Sequence, residues 1–290
     1  MKNIDTHIHY IDEDAIDYID TLLRRMDEND VDKCVLFGVQ GDPICGDAGV
    51  WHAVNAHLDR FIPFACSLRC ELDRDAEVFA NYAFRHPWRG VGEVYIDLGG
   101  EPGVTYSTRG GRTAFFPHYC PEDRHLNSVY GKIFAECGNR GWPVSAHCRS
   151  IEAMEGLLTQ HLDTSFIWAH VDHMFVEDDT IPMLDKYPNL YCEVGIQFGF
   201  VSQEILNQEF GEENAWIPRR FKAWQEAANR HPSRILWGSD AFSWPDLVDP
   251  GVYRRNREVF KLFCEPLSPE ASAGIAGGNI LSLIDGQDGR

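Results

Sequence analysis

Two histidines separated by one residue, His7 and His9, are the first residues in this chain that could do chemistry. They close the strand-like run 4–9, and in a β-strand the side chains at positions i and i+2 project from the same face. Both imidazoles can therefore bind one divalent ion. A catalytic ion takes a third or fourth protein ligand and keeps one position for water. The pair thus predicts further ligands elsewhere in the chain.

Three other polar groups lie where later strand-like runs end. His147 and His170 lie near the ends of the fifth and sixth runs, and Asp240 ends the eighth. A single histidine at a strand end is most often a hydrogen-bonded structural residue. Five such groups in one chain instead favour a shared site.

The elements that must position these groups alternate along the chain as strand-like and amphipathic helix-like stretches. The strand-like runs are 4–9, 33–39, 61–67, 90–97, 143–148, 165–171, 190–197 and 234–240. The helix-like stretches are 15–28, 50–60, 74–85, 126–140, 151–160, 180–186, 219–230 and 253–263. Eight β-then-α units predict an α/β fold, a parallel (β/α)8 TIM barrel with its helices outside.

An open doubly wound sheet shows the same alternation. The barrel is favoured because the carboxyl ends of all its strands share one mouth, where groups distant in sequence converge. No internal repeat or linker-like segment indicates a second domain, so residues 1–290 are predicted to form one domain.

The order of these groups resembles the amidohydrolase superfamily. His-x-His on the first strand, single histidines on the fifth and sixth, an aspartate on the eighth and the closing Gly-Gly-Asn-Ile-Leu-Ser-Leu at 277–283 are similar to its amidohydrolase-related branch, which includes decarboxylases and lactonases. The likeness spans Ile4 to Ile284. It implies a (β/α)8 barrel with a divalent metal, commonly zinc or manganese. The family's functional roles then fall on the matching positions His7, His9, His147, His170 and Asp240.

We therefore predict His7, His9, His147 and Asp240 as metal ligands, with zinc as the first choice of ion. Asp240 is also the predicted base, because a carboxylate at that strand end can touch both metal and water and later pass the proton to a leaving group. His170 either completes the ligand set or polarises the substrate carbonyl by donating a hydrogen bond. In the branch that the chain resembles, the second role is usual.

The number of ions depends on the fourth strand. Some superfamily members bridge two ions there with a carboxylated lysine, but this run contains none, so a carbamate bridge is not expected. Glu93 could ligate directly, as similar Gly-Glu segments do in related deoxyribonuclease-like members. Its alternative role is that of a buried acid bonded to neighbouring strands or to an arginine. One ion is predicted, with two as the alternative.

Substrate contacts are predicted from the segments beyond the strands. Arg149 could hold a carboxylate or phosphate with two hydrogen bonds, and His173 could contact substrate or only a backbone carbonyl. Long insertions without obvious periodicity are expected at about 99–124 and 197–217. The first could line a pocket for a ring-bearing substrate or only anchor itself to the rim. The second could do the same or form a subunit contact in a homo-oligomer.

Composition limits the partners and the compartment. The net charge of −19 disfavours nucleic acid and anionic membranes as partners. A secretory signal segment and an 18-residue apolar window are both absent from the sequence. Nine cysteines without a Cys-x-x-Cys pair favour a reducing cytoplasm. A small-molecule substrate is therefore expected.

The predicted function is a metal-dependent hydrolase that attacks an amide, lactone or ester carbonyl with metal-activated water. The alternative on the same site is non-oxidative decarboxylation of an aromatic or unsaturated acid, with Arg149 holding a carboxylate. A second alternative is a binding protein that has lost its chemistry.

Overall fold

Eight parallel strands form the wall of a barrel, and an antiparallel hairpin accompanies them. The computed structural model describes residues 2–10, 15–39, 46–66, 86–96, 104–107, 113–116, 124–174, 177–195, 216–240 and 250–285. The barrel strands are β1 (Ile4–His9), β2 (Lys33–Phe37), β3 (Phe61–Pro63), β4 (Val91–Ile96), β7 (Val144–Cys148), β8 (Phe166–Trp168), β9 (Leu190–Val194) and β10 (Ile235–Trp237). The hairpin strands are β5 (Val104–Ser107) and β6 (Thr113–Phe116).

Hydrogen bonds connect the barrel strands in a ring. One parallel sheet has the order β1-β2-β3 and the other the order β10-β9-β8-β7-β4. A parallel bridge between Ala65 and Val91 joins β3 to β4. Beyond β10, the backbone N–H of Asp240 donates to the carbonyl oxygen of His7 at 3.0 Å. The predicted (β/α)8 barrel is confirmed, and its first and last strands lie side by side with their polar ends together.

All eight predicted strands are present, but most end before the predicted residue. The prediction is wrong at Val171, which begins the short helix Val171–Met174. The backbone explains this, because His170 and Asp240 have φ angles of 44° and 49°, a left-handed conformation that turns the chain out of the sheet. The predicted strand ends at positions 67, 97 and 197 lie outside the described residues.

Helices cover the outside of the barrel. They are Ala15–Glu28, Asp47–Val54, Arg124–Arg140, Ile151–Gln160, Glu177–Lys186, Trp216–Arg230 and Pro250–Cys264. The predictions 15–28 and 151–160 are confirmed at both ends. The prediction 50–60 is wrong at both ends, because the helix begins at Asp47 and ends at Val54. A turn follows the helix, in which the N–H of His57 donates to the carbonyl oxygen of Val54. The prediction 74–85 lies outside the described residues.

Four later helices begin two or three residues before their predicted first residue, namely Arg124–Arg140, Glu177–Lys186, Trp216–Arg230 and Pro250–Cys264. Two of them carry a start signal in the sequence. Glu177, Asp178 and Asp179 occupy the first turn of one, where negative charge favours the positive end of the helix dipole. Pro250 begins the other, a position that proline favours because its missing N–H has no partner within the helix. Both signals were present in the sequence, outside the amphipathic windows.

The expectation of irregular structure throughout the first insertion is wrong. Residues 104–107 and 113–116 pair antiparallel, from Val104 opposite Phe116 to Ser107 opposite Thr113, and a helix begins at Arg124. The strand-forming residues on either side of Gly110-Gly111 carry the hairpin signal in the sequence. Most of the second insertion lies outside the described residues, and its last two positions belong to the helix Trp216–Arg230.

Apolar side chains pack on both faces of the wall. Inside, Ile4, Val35, Phe37 and Leu236 form a cluster with Ile280 of the helix Asn279–Asp285. Between strands and helices lies a larger cluster. Its members include Leu36, Phe134, Phe166, Trp168, Trp237 and Phe260.

The C-terminal segment holds the end of the barrel opposite the mouth. After the short helix Pro269–Ala273 and the π-helical turn Gly274–Gly278, the side chain of Asn279 donates to the carbonyl oxygens of Pro232 and Ile235, at 2.9 and 2.7 Å. Gly277 has a φ of 149°, and a Cβ there would lie 2.7 Å from Cγ1 of Ile4. Glycine at this position therefore permits the close approach to β1.

The described helices include none with the length and apolar character needed to cross a membrane. The described cysteines carry free thiols, and all but Cys264 are buried.

Candidate metal centre

Hydrogen bonds to the Nδ1 atoms of His7 and His9 hold the two rings so that their Nε2 atoms face each other. His7 Nδ1 lies 2.8 Å from Glu193 Oε1, and His9 Nδ1 lies 3.0 Å from the carbonyl oxygen of Gly38. Because both partners can only accept, each Nδ1 carries a proton, which leaves each Nε2 as the nitrogen that can bind a metal ion in place of a proton. The two Nε2 atoms are 3.2 Å apart. Two nitrogens at about 2.0–2.1 Å from one zinc ion have a comparable separation.

The carboxylate of Asp240 joins this pair from the last strand. Its Oδ1 lies 3.8 Å from His7 Nε2. Ligand atoms of His7, His9 and Asp240 all lie within 4.8 Å of one another and are buried, as a metal site requires. Three of the four predicted metal ligands are therefore brought together.

Glu93 of β4 lies at the centre of the histidines. Its Oε1 is 2.7 Å from His170 Nε2, 3.2 Å from His147 Nδ1 and 3.9 Å from His7 Nε2. Its Oε2 is 3.3 Å from His9 Nε2. Glu93, His147 and His170 form a second buried group with metal-binding geometry. The buried-acid alternative for Glu93 expected partners on neighbouring strands or an arginine. His147 on the adjacent strand β7 is such a partner, and the other partners are imidazoles of β1 and of the segment after β8.

Mutual attraction sets the charges in this cluster. Burial alone would raise the pKa of Glu93, but the imidazoles of His170, His147 and His7 hold it well below its usual range. Burial alone would lower the pKa of His7, but the carboxylates of Glu193, Asp240 and Glu93 raise it to about 9. The site therefore draws positive charge to its centre, and a divalent cation can take the place of these protons.

His147 differs from His7, His9 and His170 because at its ring burial outweighs the attraction of the Glu93 carboxylate. Burial lowers the pKa of its ring, which favours the neutral form that binds metals. Its Nε2 is buried and has no hydrogen-bond partner among the described residues. A buried nitrogen without a partner is costly, and a metal ion or its bound water would satisfy it. The nitrogen and carboxylate donors present thus fit a divalent ion.

The two substrate candidates have different outcomes. Arg149 follows β7 and is exposed, and its charge adds to burial in lowering the pKa of His147. It is therefore near the site but is not part of the metal groups. His173 lies in the helix Val171–Met174, and its side chain is outside the described part of the chain, so its role stays a prediction.

Three buried acids beside the site had no role predicted from the sequence. Glu193 of β9 binds His7, and Asp172 accepts a hydrogen bond from the N–H of Gly195 at 3.0 Å, with burial raising its pKa to about 7. Asp5 accepts hydrogen bonds from the N–H groups of His7 and Ser239. The sequence signal for Glu193 was an acid inside the apolar run 190–194, whereas Glu93 was singled out by its Gly-Glu segment on the fourth strand.

Comparison with known proteins gives one family and a shared fold. A family model described as amidohydrolase matches residues 4–285. A putative 2-pyrone-4,6-dicarboxylic acid hydrolase from Pseudomonas putida is 14% identical, with 98% of this chain and 97% of that chain covered and a TM-score of 0.64. A TatD homologue from Escherichia coli K12 is 16% identical, with 98% of each chain covered and a TM-score of 0.63.

A 2,6-dihydroxybenzoate decarboxylase from Rhizobium is 12% identical, with 98% of this chain and 99% of that chain covered and a TM-score of 0.51. At such identities these likenesses show the fold alone. No curated protein sequence matches the chain.

Proposed function

We propose that this chain, which belongs to the amidohydrolase family, is a metal-dependent hydrolase that attacks an amide, lactone or ester carbonyl of a small molecule with metal-activated water. The observation that supports this most is the convergence of β1 and the end of β10. There, the Nε2 atoms of His7 and His9 lie 3.2 Å apart and Asp240 Oδ1 lies 3.8 Å from His7 Nε2.

The proposed metal ligands are His7, His9, His147 and Asp240. Imidazole nitrogens with a carboxylate oxygen suit first-row divalent ions, and we propose zinc, with manganese as the alternative. When bound, such an ion would lower the pKa of a coordinated water to roughly 7 and polarise a carbonyl oxygen.

Asp240 is the proposed general base. It lies in the same buried group as His7 and His9, so its carboxylate can accept the proton of the attacking water and later deliver it to the leaving group. His170 is proposed to polarise the substrate carbonyl. Its Nε2, 2.7 Å from Glu93, carries a proton in that contact and can donate it to a substrate oxygen instead.

One ion remains our proposal, and the position of Glu93 supports the alternative of two. Its two oxygens contact residues of both metal groups, His9 of the first and His147 and His170 of the second. A carboxylate between two such groups can bridge two cations. Titration of metal-free protein with Zn²⁺ distinguishes these cases: saturation at one ion per chain supports our proposal, and saturation at two, falling to one in Glu93→Gln, supports the bridge.

A second candidate reaction is non-oxidative decarboxylation of an aromatic or unsaturated acid. The exposed guanidinium of Arg149, close enough to affect His147 electrostatically, favours it. An arginine there could hold the substrate carboxylate with two hydrogen bonds, while Asp240 would deliver a proton to carbon.

A panel of lactones, esters, amides and aromatic acids tests the proposal. Metal-loaded protein in H₂¹⁸O should release acids that carry one ¹⁸O atom, and a chelator should abolish turnover until metal is restored. Release of CO₂ from an aromatic acid without ¹⁸O in the product would instead select decarboxylation. Turnover that persists after complete metal removal would contradict both reactions.

A further inference from the structure

Glu193 is a buried carboxylate to which the proposed reaction assigns no step. Its Oε1 lies 2.8 Å from His7 Nδ1 and 3.7 Å from His170 Nδ1. Its Oε2 accepts a hydrogen bond from the hydroxyl of Thr6 at 2.8 Å. Burying an ionised carboxylate is costly unless it is paired and hydrogen-bonded, and these contacts supply the pairing.

The backbone around Glu193 leaves room for this carboxylate. A Cβ at Gly238 would lie 2.5 Å from Glu193 Cδ and 2.6 Å from His7 Cβ. Any larger residue at position 238 would therefore displace either the carboxylate or the imidazole. The last strand thus approaches β1 and β9 closely at the point where Glu193 meets His7.

The two histidines present opposite nitrogens to two different carboxylates. The Nδ1 atoms of His7 and His170 are on the side of Glu193, and their Nε2 atoms lie 3.9 and 2.7 Å from Glu93. Their ring centres are 4.3 Å apart. A single oxygen, Oε1 of Glu193, thus lies on the Nδ1 side of both rings, hydrogen-bonded to His7 at 2.8 Å and at ion-pair distance, 3.7 Å, from His170.

We infer that Glu193 is a positioning residue for the metal centre: by holding the Nδ1 proton of His7 and facing Nδ1 of His170, it fixes both rings so that their Nε2 atoms face Glu93 and the ion. This inference rests on the proposed function, because it assumes an ion bound by His7. A carboxylate that accepts from the distal nitrogen of a metal-binding imidazole fixes its tautomer and increases its basicity as a ligand.

Glu193→Gln keeps the shape of the side chain and removes its charge. Loss of such a partner typically weakens metal binding about 10- to 100-fold. The probe is Co²⁺, with the dissociation constant measured by competition against a chromophoric chelator and the ligand set followed by visible absorption. The matched control is Glu155→Gln, the same chemical change at a surface residue paired with Lys186, which should leave Co²⁺ affinity unchanged.

A spectroscopic readout separates positioning from general destabilisation. In wild-type protein with ¹⁵N-labelled histidine, the Nδ1 proton of His7 should appear far downfield and exchange slowly, because it is buried and bonded to a carboxylate. In Glu193→Gln that resonance should move upfield, whereas a purely structural role would leave it in place while the free energy of unfolding fell.

Thr6→Val provides a second variant if Glu193→Gln does not fold. Valine matches threonine in shape but cannot donate to Glu193 Oε2, and the hydroxyl touches neither histidine ring in the described contacts. Losing that hydrogen bond to the carboxylate should weaken Co²⁺ binding about two- to tenfold. Thr6→Ser should restore it.

The outcomes distinguish this inference from the proposed function. If His7→Ala abolishes Co²⁺ binding while Glu193→Gln and Thr6→Val bind like wild type with an unmoved His7 resonance, the positioning role is wrong and the metal centre stands. If wild type binds Co²⁺ no better than His7→Ala, the proposed function itself is wrong.

Discussion

The mouth of the barrel and the layer between its wall and the helices have opposite composition. At the mouth, Glu93 contacts His7, His9, His147 and His170 within 4 Å. In the outer layer, β8 and β10, the strands that precede His170 and Asp240, contribute Trp168 and Trp237 to an apolar cluster with helix residues. Burying apolar surface stabilises the fold, whereas burying this many ionisable groups costs free energy that only mutual pairing offsets.

Backbone conformation shows the same division. The described residues contain three non-glycine positions with positive φ, and two of them, His170 and Asp240, belong to the candidate site. Such conformations are costly and are kept where surrounding contacts hold them. The outer layer therefore supplies stability, which offsets the free-energy cost of holding the ionisable groups together at the mouth. Substitutions in the two regions should therefore have different consequences.

The largest expected effect is on turnover, from Asp240→Asn at the mouth. Removing the proposed base should lower kcat about 10²- to 10⁴-fold. The free energy of unfolding of the metal-free protein should change by about 1 kcal/mol or less. Steady-state kinetics on a substrate from the panel, with urea unfolding, measures both quantities. Turnover near that of wild type would break the assignment of Asp240.

In the outer layer, Phe134→Ala should lower the free energy of unfolding and leave metal binding unchanged. Phe134 is fully buried, with its ring against Tyr130 and Phe166, and truncation of such a residue costs about 3–5 kcal/mol. Urea unfolding measures the loss. The metal content per folded chain should stay that of wild type, and a fall in metal content would mean that the two regions are coupled more tightly than the comparison implies.

Replacing glycine by alanine should have opposite effects at the mouth and in an outer helix. At Gly238 a methyl group would overlap Glu193 and His7, so Gly238→Ala should destabilise by about 1–3 kcal/mol and weaken metal binding. At Gly156, in the helix Ile151–Gln160, a Cβ meets no atom within 4 Å. Gly156→Ala should therefore stabilise by up to about 1 kcal/mol. Calorimetry on both variants, with metal titration, checks the pair; equal effects would contradict the contrast.

The smallest expected effect concerns the pH dependence of stability. Burial lowers the pKa of His161, which packs against Phe134 outside the mouth, below its ordinary value of 6.5. A depressed histidine pKa adds stability above pH 6.5 that is lost as the pH falls through the folded-state value. In metal-free protein, the stability difference between wild type and His161→Gln should be constant above about pH 7 and decrease below about 6.5. A difference independent of pH would contradict this.

The sequence predicted the wall of the barrel better than its mouth. Period-two and helical patterns located all eight strands because they report burial of one face, which is a local property. The ends of β8 and β10 were predicted too late, since the left-handed turns at His170 and Asp240 depend on tertiary contacts rather than on residue type. The hairpin signal on either side of Gly110-Gly111 was present and overlooked.

The site residues that end strands could be predicted from the sequence. The buried acids that hydrogen-bond to the site could not. His7, His9 and Asp240 follow from strand-end position, and the structure groups them. Glu93 was named without its partners, because no pattern in one strand tells which imidazoles surround it. Glu193 and Asp5 were not predicted. The role of an acid inside a strand depends on its contacts with residues that are distant in sequence, here His7 for Glu193 and Ser239 for Asp5.

Metal content decides whether the mouth of the barrel binds a metal ion. Wild-type protein and a His7→Ala/His9→Ala variant would be purified, supplemented with Zn²⁺, desalted and measured by elemental analysis. We expect at least one ion per chain in the wild type and well below one in the variant, with both proteins folded. A wild-type content well below one ion per chain after supplementation would contradict the assignment of the barrel mouth as a metal centre.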